Sequence, residues 1–102
     1  RPPQFVERPD GLIDLDARMP IDVFEERIGE VLTEDEREQD IDTVGGLVFT
    51  LAGRVPAKGE LVSHPSGLEF RVLDADARRI RRLRIRRPGV HAGQATAQAA
   101  AE

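Results

Sequence analysis

Two groups of carboxylates in the first half of the chain are of the type that binds cations. Asp14 and Asp16 alternate with Ile13 and Leu15, which places both carboxylates on one face of a predicted strand. No third ligand is indicated, so a solvated strand face is the simpler interpretation. The acidic run over residues 30–42 lacks the glycine-punctuated alternation of a calcium loop, and it predicts a solvated, mobile connection. We therefore predict no metal site.

A pair of glycines, Gly45 and Gly46, lies at the start of a predicted helix, where free amides can bind an anion. Each glycine costs on the order of 1 kcal/mol of helix propensity relative to alanine. Either another backbone passes close by, or an anion approaches the amides. Asp42 is predicted to cap this helix with its own negative charge, which favours close packing. A nucleotide or FAD site formed by the two glycines and Arg54 stays open as the alternative.

Arginines dominate the last predicted strand, over residues 79–87, and such a row can neutralise nucleic-acid phosphates. No aromatic residues are interleaved for base stacking, and no nucleic-acid-binding motif surrounds the row. We therefore expect no nucleic acid as a partner. The row could instead protect an edge strand from aggregation, or meet the acidic half of the chain or an acidic neighbour, and homodimerisation through such an edge stays open. The row consists of Arg79, Arg81, Arg82, Arg84, Arg86 and Arg87.

No catalytic constellation is present in the sequence. His64 has no second histidine or carboxylate near it at metal-ligand spacing, so we predict that it is a turn residue. The chain has no cysteine, which excludes thiolate chemistry and disulfides. With 102 residues, it buries only about 60 to 70% of its unfolded surface, which makes a deep catalytic cavity difficult to build. We therefore predict a protein that is not an enzyme.

The elements that position these residues follow from periodicity and turn signals. Helical spacing of apolar residues predicts a buried helix that ends before Gly53 and Pro56, and a capping box of Asp22 and Glu25 predicts an earlier helix that ends near Ile28. The predicted strands cover residues 5–8, 12–16, 61–64, 68–74 and 79–87, the last with a bulge near residues 81 and 82.

The sequence thus predicts an α+β domain in the order β-β-α-α-β-β-β, in which two helices pack on one face of a small antiparallel sheet of about five strands. The predicted core consists of Val44, Leu47, Val48, Leu51, Phe70, Val72, Leu83 and Ile85.

Charge is distributed unevenly along the chain. The net charge is −4, but residues 1–60 hold 15 acidic and 7 basic side chains, whereas residues 61–102 hold 4 acidic and 8 basic ones. The two parts could attract each other or two different neighbours. No run approaches the roughly 18 apolar residues of a membrane span, and no signal peptide is recognisable. Because the sequence begins at Arg1, without methionine, we interpret it as a piece of a longer protein.

Several short motifs in this order of elements resemble the transporter-associated domain of the CorC/HlyC family. They are DTVGGLVF at 42–49, GRVPAKGE at 53–60 and LEFRVLDAD at 68–76, together with Asp10-Gly11 and Arg79-Ile80. The resemblance covers residues 5–87, which leaves residues 1–4 as an extended lead-in and residues 88–102 as a flexible tail. Ala17 stands where the family often has glycine. The residues that carry the structural motif are Asp10, Gly11, Asp42, Thr43, Gly45, Gly46, Gly53, Pro56, Gly59 and Glu60.

The resemblance implies a regulatory or interaction domain at the C-terminus of a CBS-pair, membrane-associated protein, where it would modulate magnesium or cobalt transport. Its partners would be the CBS and membrane domains of the same polypeptide, on the cytoplasmic side of the cell membrane. The resemblance also implies a fold similar to part of the FAD-binding domain of vanillyl-alcohol oxidase-type enzymes. The glycine-rich pyrophosphate segment of those enzymes is absent here, so fold similarity does not carry FAD binding over, and we expect no cofactor.

Overall fold

The computed structural model describes residues 2–89, which form a five-stranded antiparallel sheet and three helices. The predicted α+β class and the strand count are confirmed, while most of the predicted tail lies outside the described residues. The strand order across the sheet is β1-β2-β5-β4-β3. The strands are β1 (Phe5–Glu7), β2 (Ile13–Asp16), β3 (Leu61–Ser63), β4 (Glu69–Ala75) and β5 (Ile80–Arg86), and the helices are α1 (Ile21–Ile28), α2 (Glu34–Glu38) and α3 (Val44–Ala52).

Helix α3 is the apolar helix that the sequence predicts, but its cap differs by one residue. The Oγ1 atom of Thr43 accepts a hydrogen bond from the amide of Gly46 at 3.0 Å, so Thr43, and not Asp42, is the N-cap. Gly53 ends the helix at φ 76°, a left-handed conformation that glycine adopts without steric cost. Both ends of α3 are therefore specified by single residues.

Helix α1 lacks the capping box that the sequence predicts for Asp22 and Glu25. Its N-cap is Pro20, without any side-chain cap, so the prediction is wrong there. The side chain of Glu25 turns away from the start of α1 and bonds the segment that follows the helix. Helix α1 is anchored by burial of Ile21 and Phe24 instead.

Helix α2 lies within the acidic run, where we expected a mobile connection without regular structure. Thr33 caps it: Thr33 Oγ1 accepts from the Glu36 amide at 3.1 Å, and Glu36 Oε1 accepts from the Thr33 amide at 2.8 Å. This reciprocal capping box satisfies two amides at the helix start. The expectation of an unstructured connection is therefore wrong for residues 33–39.

Strand β5 lies between β2 and β4, in the interior of the sheet. The interpretation of its arginine row as protection for an edge strand is therefore wrong, because the edges are β1 and β3. The register between β4 and β5 shifts between Val72 and Ala75, opposite the segment from Ile80 to Leu83. This irregularity agrees with the predicted bulge near residues 81 and 82.

One face of the sheet and helices α1 and α3 enclose the core. Of the eight predicted core residues, all except Leu51 are buried, and Leu51 is partly buried against the others. The opposite sheet face carries charged side chains of β2, β4 and β5. None of the helices in the described residues is long and apolar enough to cross a bilayer. Further buried apolar residues are Leu12, Ile13, Leu15, Ala17, Met19, Ile21, Phe24, Val62, Leu68 and Ile80.

Candidate functional site

The start of α3 is joined to the segment after β2 by backbone contacts. The Gly45 amide donates to the carbonyl of Ala17 at 2.9 Å, and the Val44 amide donates to that of Met19 at 3.0 Å. A Cβ added to Gly45 would lie 2.9 Å from Ala17 Cβ and 3.0 Å from Ala17 O, closer than non-bonded atoms approach. At Gly45 the prediction of close packing is therefore confirmed, and the small side chain of Ala17 is part of that contact. At Gly46 the same prediction is wrong, because an added Cβ would meet only the side chains of Thr43 and Ile41 and no other backbone.

The structure separates the residues of the alternative nucleotide or FAD site, which are Gly45, Gly46 and Arg54. The amides of Gly45 and Gly46 already have acceptors, the carbonyl of Ala17 and the hydroxyl of Thr43. Arg54 lies beyond the other end of the nine-residue α3, about 13 Å away at 1.5 Å per residue. The structure does not bring these three residues together.

Arg54 instead closes the loop that follows α3. Its guanidinium donates to both carboxylate oxygens of Glu60, and Glu60 also accepts from the Ala57 amide at 3.0 Å. These hydrogen bonds lower the pKa of Glu60, and the bond from Arg54 has the largest effect. Gly59 adopts φ 89° in the same loop, and Pro56, also in this loop, is buried. The residues of the GRVPAKGE motif thus build a loop.

The Asp10-Gly11 motif forms the turn between β1 and β2. Asp10 Oδ1 accepts from the Leu12 amide at 3.1 Å, and Gly11 adopts φ 87°. The Arg8 guanidinium also bonds the carboxylate of Asp10, at 3.1 Å, and lowers its pKa. This motif is likewise structural.

Asp14 and Asp16, the candidate cation ligands on β2, are both bonded to arginines. Arg84 donates to Asp14 at 2.7 and 3.0 Å, and this bond is the main reason that the pKa of Asp14 is lowered. Arg18 donates to Asp16 at 2.8 Å and lowers its pKa. Over residues 2–89 the structure contains no group of three His, Cys, Asp or Glu residues placed to hold a metal ion.

The arginine row is largely neutralised by carboxylates of neighbouring strands and turns. Arg84 pairs with Asp14 as described above, and the other pairs join β5 to β4, to the β4–β5 turn and to β1. A protein that binds nucleic-acid phosphates through such a row would first have to break these pairs. The pairs are Arg81 with Asp76 (3.2 Å) and Asp74 (3.7 Å), Arg86 with Glu69 (2.6 Å) and Arg87 with Glu7 (3.4 Å).

Sequence reasoning missed a buried polar pair between α2 and the turn after β3. His64 is a turn residue, as predicted, but it is only 4% exposed, and its Nε2 lies 2.8 Å from Glu36 Oε1. The Ser66 amide donates to Nδ1 of His64 at 3.0 Å, so Nε2 carries the proton that is donated to Glu36. Burial raises the pKa of Glu36, but hydrogen bonds from His64 and Thr33 outweigh it, and the net shift is downward.

Glu25 forms a second link to the acidic segment. Its Oε2 accepts from the amides of Val31 at 2.7 Å and Leu32 at 3.1 Å, and both carboxylate oxygens accept from Arg37 of α2. Burial opposes ionisation of Glu25, but these bonds outweigh it and lower its pKa. The Thr33-x-x-Glu36 spacing was the available signal for α2. No local spacing signals the contact with His64, which is 28 residues away.

The comparison with protein families matches one family model, described as the transporter associated domain CorC_HlyC, over residues 6–89. Among curated proteins, the chain is 42% identical over 74 residues to a protein named possible hemolysin C from Rickettsia canadensis. It is 40% identical over 70 residues to hemolysin C from Rickettsia prowazekii. These matches cover 72% and 69% of this chain but only 24% and 22% of the two relatives. The chain thus spans about a quarter of the length of the curated relatives.

Solved structures of similar domains share the fold. A CorC_HlyC domain from a Xylella fastidiosa hemolysin, in complex with Mg²⁺ and Mn²⁺, has a TM-score of 0.66 at 28% identity, covering 81% of this chain and 95% of that one. A Neisseria meningitidis region associated with a proposed Mg²⁺ and Co²⁺ transporter (CorC) has a TM-score of 0.65 at 30% identity, covering 74% and 88%. The sheet and helices described above are therefore those of this group of domains.

Proposed function

Since the chain belongs to the CorC_HlyC family of transporter-associated domains, we propose that it is a non-catalytic regulatory or interaction module of a larger CBS-pair, membrane-associated protein. In this role it modulates magnesium or cobalt transport from the cytoplasmic side of the membrane. Its partners are the CBS and membrane domains of the same polypeptide.

The observation that carries the proposal is that the family's signature residues serve the fold. Gly45 permits contact with Ala17, Thr43 caps α3, and Arg54 with Glu60 closes the following loop. Asp14 and Asp16, the candidate cation ligands on β2, are paired with arginines. Because these motif residues stabilise the fold and do not form a catalytic site, we infer that the domain acts through contacts made by its surface.

The choice of ion rests on the names of similar domains. The Neisseria region is named for a Mg²⁺ and Co²⁺ transporter, and the Xylella domain is described in complex with Mg²⁺ and Mn²⁺. Their identities to this chain, 30% and 28%, support a related transport role.

A transport assay tests this proposal. Cells that express the complete gene product containing this chain are loaded with Co²⁺ or Mg²⁺, and efflux is compared with that of a variant lacking residues 5–87. We expect residual transport whose rate, or whose dependence on internal Mg²⁺, changes at least twofold. Lys58→Ala, at an exposed position without an ion pair in the described residues, serves as the control with unchanged efflux. Unchanged efflux after the deletion, or turnover of a substrate by the purified chain alone, would overturn the proposal.

A further inference from the structure

A shallow cavity of about 310 Å³ lies beside the N-terminal half of α3, and we call it the Phe49 pocket. The segment after β2, α3 and the turn between β4 and β5 all contribute to it. Its floor is apolar or lacks side chains, and arginines stand at its rim. Among its lining residues are Gly46, Phe49, Ile80, Arg18, Arg78 and Arg79.

Phe49 gives the pocket an aromatic wall. The side chain is 48% exposed on α3, although the same helix buries Leu47 and Val48 completely. Gly46 lies one turn before Phe49, and without a side chain it leaves the surface beside the ring recessed. An exposed aromatic ring next to a recess provides a place for one bulky apolar side chain of a partner.

The rim of the pocket carries positive charge that the described residues leave uncompensated. Arg18 is neutralised by Asp16 at 2.8 Å. Arg78 and Arg79 are exposed, and neither forms an ion pair with a carboxylate among residues 2–89. Electrostatic complementarity therefore favours an acidic partner.

The turn that presents Arg78 and Arg79 is held in place before any partner arrives. Asp76 Oδ1 accepts from both of their backbone amides, at 2.8 and 3.0 Å, and the Asp76 amide donates to the Arg79 carbonyl at 3.0 Å. Asp76 Oδ2 in turn accepts from Arg81 at 3.2 Å. The carboxylate nearest the two arginines is thus engaged with the turn, and a preorganised turn lowers the entropic cost of binding.

We propose that the Phe49 pocket docks an acidic peptide segment that inserts one bulky apolar side chain beside Phe49 and pairs its carboxylates with Arg78 and Arg79. This inference deepens the proposed interaction role by naming the surface and the chemistry of the partner. It predicts binding that depends on both the apolar side chain and the acidic residues.

The probe is the blocked peptide Asp-Glu-Leu-Asp-Glu, added to the ¹⁵N-labelled 102-residue chain and followed by NMR chemical-shift mapping at low and high salt. We expect shifts centred on the amides of Gly46, Phe49 and Arg79. Affinity should be at least tenfold weaker when the leucine of the peptide is replaced by alanine or when its acidic residues are replaced by lysines. It should also fall as salt rises.

Two variants locate the binding on the protein. Phe49→Ser and the double variant Arg78→Glu/Arg79→Glu should each weaken the peptide at least tenfold. The double variant Lys58→Glu/Arg71→Glu makes the same change in net charge at exposed positions that do not line the Phe49 pocket, and it should retain the affinity. Circular dichroism verifies that each variant folds, and only folded variants are compared; Phe49→Leu replaces Phe49→Ser if the latter does not fold.

Three results would overturn this inference. They are no shifts at millimolar peptide, shifts centred elsewhere, or an affinity indifferent to the leucine, which would leave only a general charge attraction. A second copy of the chain is the competing occupant: sedimentation that shows a dimer, converted to a monomer by Phe49→Ser, would also contradict the peptide proposal. None of these results bears on the transport assay, so the two proposals can fail independently.

Discussion

Helices α3 and α2 are held in the domain by different kinds of interaction. Helix α3 places Val44, Leu47 and Val48 in the core, fully buried. Helix α2 buries only one side chain, the carboxylate-bearing Glu36, and is held by hydrogen bonds to His64 and Glu25. A five-residue helix has little stability alone. The comparison teaches that α3 is part of the core, whereas α2 is attached to the core by a few polar bonds.

Leu47→Ala is the strongest test of the conclusion that α3 is part of the core. The side chain is completely buried, so its truncation leaves a cavity and should cost about 3 kcal/mol of unfolding free energy. Leu51→Ala is the control on the same helix, and because Leu51 is only partly buried it should cost about 1 kcal/mol. Urea unfolding followed by circular dichroism measures both values. Equal losses would show that α3 does not face the core as described.

The contact between Gly45 and Ala17 provides the second test. In Gly45→Ala the new Cβ would lie 2.9 Å from Ala17 Cβ, so one of the two backbones must move. We expect a net loss of about 1 to 2 kcal/mol, because overpacking outweighs the gain in helix propensity.

Gly46→Ala is the matched control, since its Cβ would meet only side-chain atoms, the Thr43 hydroxyl at 3.3 Å and Ile41 Cγ2 at 4.0 Å, and no backbone atom. Its unfolding free energy should stay within about 0.5 kcal/mol of that of the parent chain. If the two substitutions had the same effect in thermal unfolding, close packing would not be the reason for the first glycine.

On the α2 side, Glu36→Ala removes the acceptor for both His64 and the Thr33 amide. We expect a global loss of only about 1 kcal/mol, because α2 can detach while the core stays folded. Amide hydrogen exchange should show that protection is lost in residues 33–39 and kept in α3. The exposed Glu34→Ala on the same helix serves as the control and should keep the protection. Loss of protection throughout the sheet would contradict a locally attached α2.

The same contrast explains which parts of the fold the sequence could predict. The apolar spacing in α3, the glycines at its ends and the alternation in β2 are local patterns, and each corresponds to an observed element. The burial of Glu36 depends on His64, 28 residues away, and no local pattern signals it. Helix α2 was missed because its composition is that of a solvated segment, although Thr33 and Glu36 have capping-box spacing.

The position of β5 within the sheet also could not be predicted from local sequence patterns. Strand order is set by pairing between distant segments, and the pairing of Asp14 with Arg84 joins residues 70 apart. The arginine row therefore looked like an exposed edge, although its carboxylate partners are supplied by β1, β2, β4 and the turn before β5. The structural role of Gly45 could be predicted because glycine has a low helix propensity, so its presence in a helix needs a packing reason. The Phe49 pocket could not be predicted without knowing that the β4–β5 turn lies beside α3.

Acid should release α2 before it disturbs α3, and this is the smallest effect that we predict. The pKa values of Glu25 and Glu36 are lowered in the folded state, so the unfolded state binds more protons as the pH falls. Their contribution is therefore present above the unfolded glutamate pKa of about 4.3 and is lost as the pH falls through the lower folded values. Because Arg37 is 42% exposed, solvent screens its pairing with Glu25, and the loss of this pair adds little to the effect.

NMR spectra between pH 6 and pH 3 can separate the two helices in this test. Signals from residues 33–39 should broaden or shift towards unfolded positions at a higher pH than the signals of α3. Glu36→Gln keeps an acceptor for Thr33 and His64 without a titrating group, so it should reduce the pH dependence of α2 and leave that of the ion pairs on the sheet unchanged. If α2 and α3 lost their signals together at the same pH in both proteins, α2 would be part of the cooperative core, and the distinction between the two helices would not hold.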